Sequence, residues 1–338
     1  MSDISYRQAG PSTAATAILG TGSYLPSYVV SNDEIGAPAG VDDEWITRKT
    51  GIRERRFAKG DEATSDMAVM AARKALEAAG VSAAQLSQII VATSTPDSPQ
   101  PATAAHVAHH LDAPPTAAAF DLNAVCSGFT YALATAHRVA AADGGYALVI
   151  GADMYSRYTD PTDRRTRVLL GDGAGAVVVG PTHGPGRVLA TRLLNFSEGL
   201  DLVKVPAGGT RLGTSHATVD DRLHYFAMDG RGVVDIVRTK LPGLLSDFLD
   251  EAGVSREDIA HIVPHQGNGM MLRTLEQDLA FPRARMHTTV THYGNTGAAS
   301  IPVTLDDAAR AGALREGEKV LLTAFGGGFT FGFALIDW

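Results

Sequence analysis

A single cysteine, Cys126, stands in a chain of 338 residues. One thiol excludes an internal disulfide and a thiolate metal cluster, so Cys126 is either structural or reactive. An excess of positive charge is also missing. Against 37 Asp and Glu there are 29 Lys and Arg, a net charge of −8 with histidines neutral, which argues against nucleic acid or an anionic membrane as partner. No stretch approaches the ~20 unbroken apolar residues of a membrane span. Met1 to Thr16 lacks the charged start, apolar run and small-residue cleavage site of a signal peptide. The expectation is a soluble, cytoplasmic protein. What the chain does have is 45% apolar composition, enough for a large core.

Short β-rich apolar runs alternate with Ala-rich segments of helical period, the pattern of α/β layering with buried strands. Strands are expected over 17–20, 89–93, 147–150, 176–179, 188–194, 259–263, 320–324 and 331–336. Helices are expected over 65–79, 102–111, 127–142, 233–252, 269–279 and 298–311. Laid side by side, the two halves repeat one order. A helix of roughly sixteen residues precedes a strand that ends in a polar turn, at 89–96 and at 259–266. A small-residue helix, a second strand, a glycine cluster and a closing apolar strand follow; the clusters are Gly171-Asp-Gly-Ala-Gly175 and Gly326-Gly-Gly328. The breaker-rich segment 181–186 suits a surface connection between residues 1–182 and 183–338. The Gly-rich stretch 206–213 reads as a mobile loop of the kind that lines binding sites.

Cys126 lies in Asp121-Leu-Asn-Ala-Val-Cys-Ser-Gly-Phe129, where an extended run gives way to a helix. A thiol at a helix N-terminus is held as thiolate by free N–H groups and the helix dipole, so a lowered pKa is expected. A buried inert cysteine is the alternative. His265 ends a strand in Pro264-His-Gln-Gly-Asn268, and Asn295 precedes a helix in Tyr293-Gly-Asn-Thr-Gly-Ala-Ala-Ser300. Each has an ordinary reading, a satisfied polar residue and an N-cap. Together they offer two donors for a carbonyl or enolate oxygen beside a nucleophile.

These three motifs, with Ala324-Phe-Gly-Gly-Gly-Phe329 and Asp43-Glu-Trp-Ile-Thr-Arg-Lys-Thr-Gly-Ile-Arg-Glu-Arg-Arg56, resemble the β-ketoacyl-(acyl-carrier-protein) synthase III group of the thiolase superfamily. The resemblance implies a thiolase fold, with two pseudo-twofold α/β halves in a layered αβαβα structure, and a homodimer. It implies an acyl transfer from acyl-CoA onto Cys126, followed by condensation with a decarboxylating malonyl thioester. His265 and Asn295 would hold the malonyl thioester oxygen. The N–H groups of Cys126 and Gly327 would form the oxyanion hole for acyl transfer, and Phe325 would wall the thiol. Thioesters would be substrates, with no further cofactor and no metal. A thiolase needs a second cysteine, which this chain lacks.

The family's CoA groove maps onto Trp45 and Arg164 on either side of the adenine. Lys49 would lie at a phosphate, Gly230 and Asn268 along the pantetheine. Gln100 falls where an aromatic residue often limits the acyl pocket. The family's basic carrier-protein face here reads Asp235, Met270, Gln277 and Asp278, with Arg231 and Arg273 as partial replacements. The stretches 31–43, 226–230 and 292–302 resemble the acetoacetyl-CoA synthase subgroup of actinobacterial mevalonate clusters, which condenses acetyl-CoA with malonyl-CoA directly. The alternatives are a synthase III that primes fatty-acid or polyketide synthesis from malonyl carrier protein, an acyltransferase to an amine or hydroxyl, and a scaffold with a vestigial Cys126.

Other signals are set aside. His106, His109 and His110 have a zinc-compatible helical spacing but no carboxylate partner nearby. Gly20-Thr-Gly22 and Gly171-Asp-Gly-Ala-Gly175 lack the full dinucleotide fingerprint. The Arg53–Arg56 run reads as a solvated face that could meet CoA phosphates with Lys49. His261 and His287 read as structural, and His292 as near the site because it shares a loop with Asn295.

Overall fold

The computed structural model describes residues 15–182 and 184–338. The segment before Ala15, on which most of the no-leader expectation rests, and His183 in the predicted connection lie outside the described residues. Ten strands form one hydrogen-bonded array. They are β1 (Thr16–Tyr24), β2 (Leu86–Ala92), β3 (Ala118–Leu122), β4 (Tyr146–Met154), β5 (Asp172–Pro181), β6 (Arg187–Asn195), β7 (Ile259–Pro264), β8 (Arg285–Met286), β9 (Lys319–Gly326) and β10 (Thr330–Asp337). The order across the array is β8-β7-β9-β10-β6-β1-β5-β4-β2-β3.

The array is two five-stranded sheets that touch edge to edge, because β1 and β6 share only the pair Ala17 and Arg187. Each sheet has the same internal pattern. β3, β2 and β4 run parallel and β5 and β1 antiparallel; β8, β7 and β9 run parallel and β10 and β6 antiparallel. The sequence repeat is therefore a repeat of topology.

Helices complete the layers. Between the sheets lie α4 (Gly128–Asp143) and α7 (Ser300–Arg310). Outside the first sheet lie α2 (Thr64–Ala79) and α3 (Thr103–His110). Outside the second lie α5 (Gly230–Ala252) and α6 (Gly269–Leu279). This is the αβαβα arrangement of the thiolase fold. Strand residues alternate between the layers: Ala147 and Val149 of β4 face the central helices, while Leu148 and Ile150 face the outer ones. Both faces are buried, so these strands read as unbroken apolar runs.

Some elements were not legible in the sequence. The edge strands β3 and β8 are short and mixed in burial. The helix α1 (Asp43–Thr50) buries only Ile46 and Thr50, and is started by Asp42, whose carboxylate accepts the Trp45 N–H. The two helices that open the repeat are unequal, with 16 residues in α2 and 23 in α5. Asp229 caps α5 three residues before the predicted start by accepting the N–H groups of Arg231 and Gly232.

The central layer packs so closely that one glycine is obligatory. A Cβ on Gly151 of β4 would lie 2.3 Å from the Ala298 carbonyl oxygen, a backbone atom that cannot rotate away. Gly151→Ala should therefore destabilise the protein by about 2–3 kcal/mol, as overpacked cores do. It should also displace the segment that carries Asn295. Chemical denaturation monitored by circular dichroism checks the first effect and a condensation assay the second; an unchanged midpoint would refute the packing argument.

Candidate active site

The chain leaves β3 at Leu122 and reaches α4 through a tight turn, Val125–Ser127, that presents Cys126. Val125 takes φ 49°, a left-handed conformation that a β-branched residue rarely adopts. The surroundings hold it there. Its N–H donates to Asn123 Oδ1 at 3.0 Å, the Ser127 N–H donates to the Ala124 carbonyl at 3.1 Å, and Ser127 Oγ donates to the Thr330 carbonyl at 3.2 Å. Gly326 presses against this turn: a Cβ there would lie 2.9 Å from the backbone nitrogens of Cys126 and Ser127. The glycine cluster after β9 thus lets two halves of the fold meet at the thiol.

His265 directly follows β7, its N–H donating to the Thr323 carbonyl at 2.8 Å. The ring is buried edge-on to Phe325, with centroids 5.2 Å apart, and Nδ1 lies 2.8 Å from Ser300 Oγ. Burial pushes its pKa down to about 3, so the imidazole is neutral at working pH. Asn295 is fixed by its backbone, whose N–H donates to Leu169 at 2.8 Å and whose carbonyl accepts from Gly171 at 2.9 Å. Its Oδ1 accepts the Gly297 N–H at 2.9 Å, closing a local turn and not capping α7. No group among the described residues accepts from its Nδ2, so both amide protons remain to be given.

Cys126, His265, Asn295, Phe325 and Gly327 all line one cavity of about 380 Å³. A second, of about 820 Å³, shares Lys49, Leu169, Met228, Gly230 and Asn268 with the first and runs past Trp45 and Arg164 to the surface. The result is a channel with the thiol at its inner end and cations at its mouth. The Arg164 guanidinium lies 5.8 Å from the centroid of the Trp45 ring, so a base sandwiched between them must part them. Asn268 also has a structural role: its Oδ1 accepts the N–H groups of Met270 and Met271 and starts α6.

Several residues lie elsewhere than expected. Gln100 is exposed in the loop after β2, where its carbonyl accepts from Ser98 Oγ, and it lines none of the described cavities. The side of the channel near the thiol is walled by Val203 and Phe226, which part it from a cavity of about 170 Å³. His292 is exposed and points to Glu54, its Nδ1 3.6 Å from the carboxylate, away from the channel. Arg55 is not solvated: it is fully buried and donates to the carbonyls of Val30 and Val168 and to Asn32 Oδ1, anchoring the segment that brings Leu169 to the channel. No residue of the stretch 206–213 lines the described cavities; the ribbon strands on either side of it, Val203–Lys204 and Ala227–Met228, place Val203 and Met228 in the channel wall. The expected low thiol pKa is reversed. Burial, reinforced by the Asp153 carboxylate, pushes Cys126 well above the ordinary thiol range, and the neutral His265 supplies no cation to oppose it.

Comparison with known proteins agrees with this fold. The models of 3-oxoacyl-(acyl-carrier-protein) synthase III and of its C-terminal part match residues 120–195 and 249–338. The chain is 59% identical over 323 residues to the acetoacetyl CoA synthase NphT7 of Streptomyces sp. strain CL190, covering 95% of this chain and 98% of that one. It is 42% identical over 323 residues to the β-ketoacyl-(acyl-carrier-protein) synthase III of Clostridioides difficile strain 630, with 95% and 98% covered. The chain belongs to the synthase III family. The crystal structure of 3-oxoacyl-(acyl carrier protein) synthase III from Pseudomonas aeruginosa PAO1 superimposes with a TM-score of 0.87 at 39% identity, covering 96% of this chain and 98% of that one. The priming β-ketosynthase of the R1128 polyketide pathway superimposes with a TM-score of 0.88 at 32% identity, covering 98% of each.

Reading this synthase III chain residue by residue missed Asp153, Gly326 and Ser300 as supports of the site. Asp153 and Ser300 are common polar residues whose partners lie far away in sequence, so no local spacing marks them. Among the described residues no group of three or more His, Cys, Asp or Glu is placed to hold a metal, and His109 and His110 are exposed on α3. Among the described residues no helix is long and apolar enough to cross a membrane.

The raised thiol pKa has a measurable sign. Below its pKa the thiolate fraction of Cys126 rises tenfold per pH unit, so alkylation by iodoacetamide should climb about tenfold per unit from roughly pH 7 to 9 with no plateau. Mass spectrometry of the quenched protein reads the rate. A plateau below about pH 8 would mean the helix terminus outweighs burial.

Proposed function

We propose that this chain is an acetoacetyl-CoA synthase, condensing acetyl-CoA with malonyl-CoA through an acetyl group carried on Cys126. The observation that carries the reading is the one cavity lined by Cys126, His265 and Asn295, with its channel running out to Lys49, Trp45 and Arg164. The 59% identity to an acetoacetyl CoA synthase supports the choice of substrates. In this reading residues 1–182 supply the nucleophile and 183–338 the two donors, so the chemistry needs both halves.

Cys126 gives up its proton to water, which passes it on to the departing CoA sulfur, and the Cys126 sulfur attacks the acetyl carbonyl. The N–H groups of Cys126 and Gly327 hold the oxyanion, the bond to the CoA sulfur breaks, and the CoA thiolate takes a proton. Malonyl-CoA then enters with its thioester oxygen between His265 and Asn295 Nδ2. The bond to its carboxylate carbon breaks, CO2 leaves, and the electron pair passes into an enolate. The enolate carbon attacks the acetyl carbonyl; the new carbon–carbon bond expels the Cys126 thiolate, which regains a proton from water. A neutral imidazole suits this step, because it offers a hydrogen bond to the enolate oxygen without an ion pair that would hold the carboxylate in the ground state. Phe325 adds an apolar wall there, which disfavours the localised carboxylate relative to the delocalised enolate.

A carrier protein as malonyl donor is the second reading, favoured by the 42% identity to a synthase III. Against it stands the surface at α5 and α6. Arg238 there is held in a fork by Asp278, with nitrogen–oxygen distances of 2.7 and 3.3 Å, so its charge is spent within the chain. β3 has an unpaired edge with Phe120 exposed, and this edge is the surface we read as the homodimer contact.

Cys126→Ala should abolish condensation, and a fully active variant would end the proposal. His265→Ala and Asn295→Ala should each still be acetylated by acetyl-CoA, seen as a mass increase, while condensation falls about 100- to 1,000-fold for loss of one oxyanion donor. Offered malonyl-CoA and malonyl carrier protein separately, the wild type should show the higher kcat/KM with malonyl-CoA. A strong preference for the carrier protein would transfer the chain to the second reading.

A further inference from the structure

Ser300, the first residue of α7, is 1% exposed and does not line the channel. Its hydroxyl lies 2.8 Å from His265 Nδ1 and accepts the Gln266 backbone N–H at 3.3 Å. That N–H has no freedom to turn away. The Gln266 side chain is locked, its Oε1 accepting from the N–H groups of Thr289 and Val290 and its Nε2 donating to the Pro264 carbonyl. The Ser300 hydroxyl has one proton to give, and among the described residues His265 Nδ1 is the only acceptor within reach. Were Nδ1 instead protonated and donating to Ser300, the buried hydroxyl proton would be left without a partner, an arrangement that folded interiors avoid.

A neutral imidazole whose Nδ1 accepts carries its proton on Nε2. Nε2 is the ring nitrogen beside Gly267, where a Cβ would come within 3.3 Å of it, and Gly267 lines the channel. We infer that Ser300 is a positioning residue for decarboxylation: its hydroxyl holds His265 in the tautomer with Nε2–H, so the ring meets the enolate oxygen as a donor. The inference rests on the condensation proposed above. The opposite tautomer would turn a lone pair toward that oxygen and remove the stabilisation, while leaving transfer of acetyl to Cys126 unchanged.

Two measurements test this. In wild-type protein labelled with 15N-histidine, two-bond proton–nitrogen correlation should show His265 protonated at Nε2 and bare at Nδ1, its signals assigned by their loss in His265→Ala. A proton on Nδ1 overturns the inference with no Ser300 variant needed. Ser300→Ala should show both tautomers. Its acetylation rate and KM for malonyl-CoA should stay within about threefold of wild type, and its condensation kcat should drop by at least about tenfold, a partial loss of one oxyanion donor. Ser300→Thr, which returns the hydroxyl, should recover kcat to within about threefold and restore the Nε2–H signal. Full kcat in a folded Ser300→Ala variant overturns the inference. If His265→Ala itself condenses normally, it is the condensation reading that fails.

Discussion

Asp153 is a carboxylate with no cation beside it, buried where the two halves of the fold meet. Its oxygens accept from the side chains of Thr93, Ser94 and Thr95 and from the backbone N–H groups of Ser94 and Ala298. The first three residues follow β2; the last stands three residues after Asn295. Burial pushes the carboxyl up and the hydrogen bonds pull it down; those from residues 93–95 join the ends of β2 and β4, and the one from Ala298 ties them to the segment that presents the amide donor. Polar groups buried this deeply are tolerated only when fully satisfied, so the network admits one arrangement of the chain. The relative placement of thiol and donors depends on it.

The same dryness sets the electrical character of the site. Cys126 and His265 both favour their neutral forms chiefly through desolvation, to which the Asp153 carboxylate adds at the thiol. The cations Lys49 and Arg164 stand at the mouth, where solvent pays the cost of their charge. An anionic substrate is thus met at the entrance by point charges and at the inner end by hydrogen-bond donors. Decarboxylation needs the second environment, because charge spreads from a carboxylate onto an enolate oxygen and a neutral dipole follows that change better than a fixed ion pair.

Much of this was legible before any coordinates. The buried strands announce themselves as apolar runs because both faces are covered, and the motifs around Cys126, His265 and Asn295 are legible through their resemblance to the synthase III family. The charged helix α1 and the edge strands escape, since they bury too little to leave a periodic trace. Arg55 misleads for the opposite reason: in a run of arginines it reads as solvated, yet its partners are carbonyls distant in the chain. The thiol misleads too, because the helix-terminus rule concerns local dipoles and burial is not local.

By itself the sequence determined the layered α/β class and the repeat of its halves, which follow from local periodicity; Cys126, His265 and Asn295 it marked as candidates, through motifs that resemble those of the synthase III family. Only the tertiary structure decided how those side chains behave. The protonation of Cys126 and His265, the orientation of the Asn295 amide, the placement of Gln100 and His292 outside the channel, and the contact of Ser300 with the imidazole depend on which distant residues become neighbours. Desolvation and hydrogen-bond geometry are set by packing across hundreds of residues of separation, and no window of sequence contains them.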